Sequence, residues 1–288
     1  MADLPRLNQV IKAFESGQQA FTTFSPADIE PAVALSQSKF DGVVFEMEHN
    51  FWDPRQLRDA LQYMLNRRQI ATGGSLAPAV TPMVRIPPNG GEMNQWLAKQ
   101  ALDIGVYGVL WPHISTVDQA YNAVAACRYP RPKSSEIGEP KGVRGDAPAA
   151  AARYWGLTQQ EYYARADVWP LSPAGEILVV IMCEDVDAID NLPQMLREVK
   201  GIGVVLIGEG DLSQNLGHPR QYDHPEVVDA MRTIRRVCAE HNVACGHPHV
   251  DARNAEHVLT DGYRFLVAAP DRTYAGLEAC RKITSAKV

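Results

Sequence analysis

Short β-branched runs alternate with amphipathic segments along nearly the whole chain, and this alternation constrains the fold more than any other feature. Eight runs have the length and composition of buried strands, and the segments between them carry apolar residues at helical spacing. Strands joined through helices pair in parallel with right-handed crossovers. The predicted strands are 20–24, 42–48, 81–86, 106–111, 177–184, 203–207, 244–247 and 263–268, and the predicted helices include 54–66, 93–103, 117–127, 189–199, 225–241 and 252–260.

Eight such strands within 288 residues predict an α/β fold, a single-domain (β/α)8 TIM barrel that spans 1–288. An open doubly wound sheet is the alternative, but neither GxGxxG nor GxxxxGK[ST] follows any predicted strand, so its nucleotide-binding form lacks support. The stretch of about 129–175 is rich in Pro, Gly and Ala, and we expect a long loop insertion there. A helix over 158–166, capped by Thr158, is predicted inside it.

Charge and cysteine usage exclude several classes of protein. The net charge of −6 and the absence of a basic stripe argue against nucleic-acid binding. No apolar run is long enough to cross a bilayer, and the first residues lack the layout of a signal peptide. The five cysteines are scattered without a CxxC pair, which predicts reduced thiols in a cytoplasmic protein rather than a zinc site.

Charged side chains occur at the ends of several predicted strands, where a parallel α/β barrel assembles its active site. The second strand ends in Glu46-Met47-Glu48-His49, and the period of two places both glutamates on the inward side. Arg85 ends the third strand, Glu184 ends the fifth, and Asp211 follows the sixth. We therefore expect these side chains to meet at one rim of the barrel.

Each of these residues also has a purely structural interpretation. Asp211 could cap a short helix that begins at Leu212, and Arg85 could simply pair with a glutamate of the second strand. His247 and His249, at the end of the seventh strand, could be ordinary core or rim histidines. Several carboxylates at one rim repel one another unless a cation neutralises them. Oxygen ligands from the fifth and sixth strand ends would favour Mg²⁺ or Mn²⁺ over zinc.

Six sequence elements, in order and at strand ends, carry a resemblance to a known family. They are Glu46-Met47-Glu48-His49, Val84-Arg85-Ile86-Pro87-Pro88, Leu102-Asp103-Ile104-Gly105-Val106 with Trp111-Pro112, Arg128-Tyr129-Pro130 with Val143-Arg144-Gly145, Glu184 with Asn191-Leu192-Pro193, and the stretch 207–213. Over nearly its whole length the chain resembles the HpcH/HpaI aldolase family, the metal-dependent pyruvate aldolases of the phosphoenolpyruvate/pyruvate-binding barrels.

The resemblance implies a role for each matching position. Glu184 and Asp211 would hold a divalent metal, Mg²⁺ or Mn²⁺ with Co²⁺ as a further option. Arg85 would stabilise the enolate oxygen of pyruvate, and His49 with Glu46 would form a carboxylate–imidazole dyad that transfers the proton of the aldol hydroxyl. Glu48 receives no role.

Three departures from the family pattern concern the site. Met182 stands where the family usually has Gln, which makes the site beside Glu184 more apolar. Gly208-Glu209-Gly210-Asp211 replaces Gly-Pro-Ala-Asp, and the backbone around Gly210 could face the substrate carboxylate. Glu46 replaces Asp. With His247 and His249, these changes leave the acceptor aldehyde open.

The predicted function is a carbon–carbon lyase that cleaves or forms a 4-hydroxy-2-oxo acid, with pyruvate and an aldehyde as partners, through a metal-stabilised pyruvate enolate. Decarboxylation of oxaloacetate at the same site and a non-catalytic ligand-binding barrel are the alternatives. No lysine lies in a predicted strand, which disfavours a Schiff-base aldolase. By analogy, the resemblance implies a homo-oligomer, a trimer or a hexamer.

Overall fold

Nine parallel strands form one sheet in the computed structural model, which describes residues 5–87, 93–268 and 274–285. The strands are β1 Ala20–Ser25, β2 Gly42–Glu46, β3 Thr81–Arg85, β4 Gly108–Trp111, β5 Val168–Trp169, β6 Ile177–Cys183, β7 Val204–Ile207, β8 Ala244–Val250 and β9 Phe265–Ala268.

Eight of these strands close into a barrel. Their order is β4-β3-β2-β1-β9-β8-β7-β6, and pairing of β4 with β6 completes the ring. The two-residue β5 lies outside the ring and pairs with β6. The predicted (β/α)8 barrel is therefore confirmed, and the open doubly wound sheet is wrong.

Thirteen helices surround the barrel within the described residues. They are α1 Gln9–Glu15, α2 Ile29–Leu35, α3 Pro54–Tyr63, α4 Arg67–Gly73, α5 Gln95–Ile104, α6 Val117–Ala126, α7 Ala149–Trp155, α8 Gln159–Arg165, α9 Val186–Glu198, α10 Glu209–Asn215, α11 Pro225–Glu240, α12 Ala255–Thr260 and α13 Ala275–Ser285. The predicted cap at Thr158 is confirmed, because its side chain and that of Glu161 form a reciprocal capping box at the start of α8.

Side chains alternate along the strands between two apolar clusters. Val44 of β2 packs with barrel-interior residues such as Met83 of β3, whereas Val43 and Phe45 pack in the larger cluster that includes helix residues. This period of two places Glu46, at the end of β2, on the interior side. The inward direction predicted for this glutamate follows from the packing of its strand.

The carboxyl ends of two strands differ from the sequence prediction by more than one residue, and both differences affect the site. The second strand ends at Glu46 rather than Glu48, so the residues after it turn over the barrel mouth. β8 continues to Val250, beyond the predicted end at His247, with an irregular register between those two residues.

The stretch of about 129–175 contains α7, α8 and β5, and polar and aromatic contacts hold it in place. Asp167 accepts from Arg128 Nε at 2.7 Å and from Arg131 Nη2 at 2.6 Å. The rings of Tyr107 and Trp155 stack with their centroids 4.3 Å apart. The contact with Arg128 joins the segment to the end of α6, and the ring stack holds it against the start of β4.

Two further features bear on the expected class of protein. All five cysteines are buried and free, as predicted. Among the described residues, no helix combines the length and the apolar character needed to cross a membrane.

Candidate active site

The carboxyl ends of β2, β3, β4, β6 and β7 bring the predicted polar residues together at one mouth of the barrel. Glu46 and Arg85 are directly paired in the register of β2 and β3. Their neighbours at the mouth come from the residues that follow β2, β4, β6 and β7. Strand-end residues of a parallel barrel meet in this way because all the strands point in one direction.

Arg85 is held between two glutamates. Its Nε donates to Glu46 Oε2 at 2.7 Å, and Nη2 bonds to the same oxygen. Nη1 lies 2.8 Å from Glu48 Oε2, and the guanidinium stacks over the ring of Phe24 at 4.6 Å. The planar fork of arginine suits such bridging, and its several contacts fix the charge in place.

The structure does not bring the side chains of His49 and Glu46 together as the predicted dyad. Glu46 Oε1 accepts from the backbone N–H groups of Glu48 at 2.7 Å and His49 at 3.2 Å, while Oε2 accepts from Arg85. The His49 ring lies instead 3.6 Å from Glu48 Oε2 and is 66% exposed. The carboxylate beside His49 is thus Glu48, because the chain turns after β2 ends at Glu46.

His113 is the residue that the sequence interpretation missed. It follows β4 and Pro112 in a left-handed conformation with φ of 53°. Its Nε2 lies 3.5 Å from Glu48 Oε1, and its Nδ1 lies 3.4 Å from Glu184 Oε1. A lone histidine gives little signal, but its place directly after a strand was the same signal that identified Arg85 and Glu184.

Mutual contact shifts the pKa values of the buried groups. The hydrogen bond with Glu48 raises the pKa of His113 to about 9, against the opposing effect of burial, with help from the charges of Glu184 and Asp211. Burial is the main reason that the pKa of Glu184 rises to about 7, and the nearby Glu48 and Asp211 add to it. Burial opposes ionisation of Glu48, but His113 and Arg85 lower its pKa overall.

Glu184 and Asp211 approach each other because the chain between β7 and α10 is compact. A Cβ at Gly208 would lie 2.1 Å from Glu184 Oε2, so only glycine leaves room for this carboxylate. α10 begins at Glu209 with Gly208 as its N-cap, and Asp211 lies in its first turn. The interpretation of Asp211 as the cap of a helix beginning at Leu212 is therefore wrong.

One nitrogen or oxygen from each of His113, Glu184 and Asp211 lies within 4.8 Å of the others. Two carboxylates and one imidazole at this spacing are a donor set suited to a divalent cation. A cation there would also compensate the charge of the buried Glu184.

Met182 and Gly210 flank this group. Met182 is 4% exposed, packs with the barrel interior and contacts Arg85 Nη1 through its sulfur at 3.8 Å. A Cβ on Gly210 would meet no heavy atom within 4 Å, so there is open space beside the first turn of α10.

His247, His249 and Glu209 form a separate cluster, although Glu209 shares the first turn of α10 with Asp211. They line a cavity of about 640 Å³ whose other walls come from the residues around α11 and α12. His249 bonds to Glu209, which raises the pKa of the imidazole, whereas burial lowers the pKa of His247 to about 4. Their assignment to the same rim as Glu184 does not follow from the contacts, because β8 extends past His247.

Comparison with known proteins agrees with the fold and the position of this site. The profile of the HpcH/HpaI aldolase/citrate lyase family matches residues 23–274. A solved HpcH/HpaI aldolase/citrate lyase family protein from Burkholderia cenocepacia superposes with a TM-score of 0.73 at 26% identity, over 97% of this chain and 99% of that one.

Two characterised relatives are aldolases. The chain is 32% identical to a hydroxypyruvate/pyruvate aldolase of Roseobacter denitrificans over 92% of this chain and 91% of the relative. It is 36% identical to a 2-keto-3-deoxy-L-rhamnonate aldolase of Klebsiella pneumoniae over 83% of this chain and 78% of the relative.

The barrel with a carboxylate-rich mouth and these similarities together define an enzyme, a carbon–carbon lyase of the aldolase class. The chain belongs to the HpcH/HpaI aldolase/citrate lyase family.

Proposed function

We propose that this enzyme cleaves, and in reverse forms, a 4-hydroxy-2-oxo acid, with pyruvate and an aldehyde as the other partners. The observation that carries the proposal is the meeting of Arg85 with His113, Glu184 and Asp211 at one barrel mouth. The names of the two relatives, which specify aldolases acting on pyruvate or a 2-keto-3-deoxy acid, support this substrate class.

We propose that Glu184 and Asp211 hold a divalent metal, with His113 Nδ1 as a third ligand. The donor atoms fit, since they converge within 4.8 Å and include a buried carboxylate whose raised pKa reflects uncompensated charge. When bound, the cation supplies a Lewis acid that stabilises negative charge on the 2-oxo acid. Mg²⁺, Mn²⁺ and Co²⁺ all suit the carboxylates, and the added imidazole favours Mn²⁺ or Co²⁺.

Glu48 gains a role that its position in the sequence did not suggest. Its Oε1 faces His113 Nε2, so it can hold the ring with Nδ1 directed toward Glu184. Carboxylates commonly orient metal-binding histidines in this way and increase their basicity. We propose that Glu48 positions His113.

Arg85 supplies a fixed positive charge beside this group. Glu46 and Glu48 prevent the guanidinium from rotating, and Met182 and Phe24 cover it with apolar surface. A preoriented charge in an apolar setting stabilises a developing oxyanion strongly, because no reorganisation is needed. We propose that Arg85 stabilises the negative charge on the enolate oxygen. Met182 and the open space at Gly210 would border the substrate.

His49 is the proposed proton-transfer residue. Its exposed ring can reach a substrate hydroxyl, and the carboxylate next to it is Glu48 rather than the predicted Glu46. Glu46 then acts through Arg85 and through the backbone of the following turn. An imidazole close to a carboxylate is a suitable general acid or base near neutral pH.

Pyruvate release from a panel of 4-hydroxy-2-oxo acids tests the function. We expect turnover with Mn²⁺, loss of turnover with EDTA, and loss of turnover in Glu184→Gln. Glu240→Gln is the matched control, because it changes an exposed glutamate whose ion-pair partner is Arg236 on α11. Oxaloacetate consumption without aldol cleavage would favour the decarboxylase alternative. Absence of turnover throughout the panel would favour the non-catalytic ligand-binding barrel.

The organisation of the whole molecule stays a prediction. We propose one domain over 1–288 with the insertion at about 129–175, a cytoplasmic location, and a homotrimer or homohexamer. Light scattering on the purified protein tests the oligomeric state.

A further inference from the structure

A second group of metal-binding side chains lies on the segment that leads into α11. One ligand atom from each of His218, His224 and Glu226 lies within 4.8 Å of the others. His218 Nε2 is 2.8 Å from Glu226 Oε2, and the two imidazole rings stack with their centroids 3.4 Å apart. None of these residues has a role in the proposed aldol reaction.

The donors at this position have a different chemistry from those at the barrel mouth. Two imidazoles and one carboxylate suit Zn²⁺, Co²⁺ or Ni²⁺, whereas Mg²⁺ prefers oxygen ligands. Two ligands on one tetrahedral Zn²⁺ lie roughly 3.3 Å apart, so the His218 nitrogen and the Glu226 oxygen, now 2.8 Å apart, would separate slightly. Because an imidazole binds a metal in the plane of its ring, one of the two stacked rings would also rotate out of the stack.

Two contacts already use these atoms. One is the pair between His218 Nε2 and Glu226 Oε2 at 2.8 Å, whose place a shared cation would take, and the other is a weak cap. His224 Nδ1 accepts from the backbone N–H of Glu226 at 3.4 Å, a long contact that caps α11. A cation would replace this contact with a metal–nitrogen bond. The positive end of the α11 dipole would repel a cation. The carboxylate of Glu226, in the first turn of that helix, offsets this repulsion.

The residues between the two histidines form a wall of the cavity described above. Arg220 and Tyr222 both line it, and the Tyr222 ring lies 6.1 Å from that of His249. Arg220 has a φ of 59°, and its N–H donates to Ser213 Oγ at 3.0 Å. A cation held by His218 and His224 would therefore fix both ends of the segment 218–224 that carries these two side chains.

We propose that His218, His224 and Glu226 form a second metal site, selective for a transition-metal dication such as Zn²⁺. Its ligands are distinct from those at the barrel mouth, and its occupancy orders the segment 218–224 and with it one wall of the cavity. The site does not depend on the proposed aldol chemistry.

Zn²⁺ titration of the metal-stripped full chain by calorimetry tests the proposal. We expect the wild type to bind one more Zn²⁺ than His218→Ala and His224→Ala, which retain the barrel-mouth site. His241→Ala is the control, because it removes a histidine at the opposite end of the same helix. Unchanged Zn²⁺ binding in both ligand variants, or an equal loss in His241→Ala, would overturn the site.

Hydrogen exchange tests the ordering of the segment separately. Zn²⁺ should slow exchange over 218–224 in the wild type and in His241→Ala, and should leave it unchanged in His218→Ala. Retained circular dichroism and retained Mn²⁺ binding in His218→Ala would show that the variant is folded. Zn²⁺ binding without slower exchange would overturn the proposed ordering.

Discussion

His113 follows β4 and His247 lies within β8, and the regions around these two histidines have opposite electrostatic character. His113 lies between the carboxylates of Glu48 and Glu184, and its pKa rises to about 9. His247 packs edge-on against Tyr263 with ring centroids 5.0 Å apart, and burial lowers its pKa to about 4. The groups that surround each histidine therefore decide whether its ring can take part in charge-based chemistry.

The difference arises from what the neighbouring strands contribute. The mouth around His113 gathers carboxylates from three strand ends, which attract cations and protons. Around His247, the nearest carboxylate, Glu209, is bonded to His249, and an aromatic ring covers the imidazole. We therefore expect substitutions in the first region to change catalysis and metal binding, and those in the second to change stability.

Arg85→Lys should have the largest effect. A lysine cannot bridge Glu46 and Glu48 with a planar fork, so the charge beside the enolate oxygen loses its fixed position. We expect kcat for aldol cleavage to fall roughly 100- to 1,000-fold. Steady-state kinetics should show almost no change for the control Arg253→Lys, which alters an exposed arginine of the cavity. Similar kinetics for the two variants would show that the barrel mouth and the cavity do not differ in their effect on catalysis.

His49→Ala should slow turnover without weakening metal binding. We expect roughly a 100-fold loss of kcat, typical of removing a general acid or base. His257→Ala, which changes a similarly exposed histidine near the cavity, is the control. Kinetics and Mn²⁺ titration should be compared, since parallel loss of turnover and of metal affinity would refute the proton-transfer role.

His113→Ala should weaken metal binding in the absence of substrate. Loss of the imidazole removes a ligand and the group that Glu48 orients, so we expect Mn²⁺ affinity to fall roughly tenfold or more. Calorimetric titration of His247→Ala should give an affinity close to that of the wild type. If both variants bind Mn²⁺ as the wild type does, His113 is not a ligand.

His247→Gln should reduce the pH dependence of stability. The native pKa of His247, about 4, lies below its unfolded value of 6.5, so the unfolded chain binds the proton first as pH falls. The wild type should therefore lose roughly 1 kcal/mol of unfolding free energy from this residue between about pH 7.5 and pH 5.5. Urea unfolding at both pH values should show a smaller loss in His247→Gln than in His257→Gln. Equal losses would mean that His247 is not kept neutral by the fold.

Much of the fold could be predicted because each core strand has a local signature. β6, for example, is an uninterrupted apolar run of seven buried residues, and α6 and α8 begin with capping boxes. Short helices such as α2 and α4 lack such signals, since α4 buries no side chain. Strand ends were less predictable, because whether β2 stops at Glu46 depends on pairing with β3 rather than on the residues themselves.

The site residues that a motif or a strand end marks could be predicted from the sequence. Those whose role depends on tertiary contacts could not. Arg85, Glu184 and Asp211 stand at strand ends and approach the same group of residues. The partner of His49 depends on the turn after β2, which places Glu48 rather than Glu46 beside its ring. His113 becomes a candidate site residue because the fold places two carboxylates beside its ring.

Anomalous scattering at the manganese edge, from crystals grown with Mn²⁺ and oxalate, tests the central claim most directly. Oxalate has the shape and charge of a pyruvate enolate, so it should bind together with the metal. We expect a manganese peak within bonding distance of His113, Glu184 and Asp211, with Arg85 contacting the oxalate. A crystal with manganese at His218 and His224 but none at the barrel mouth would contradict the account.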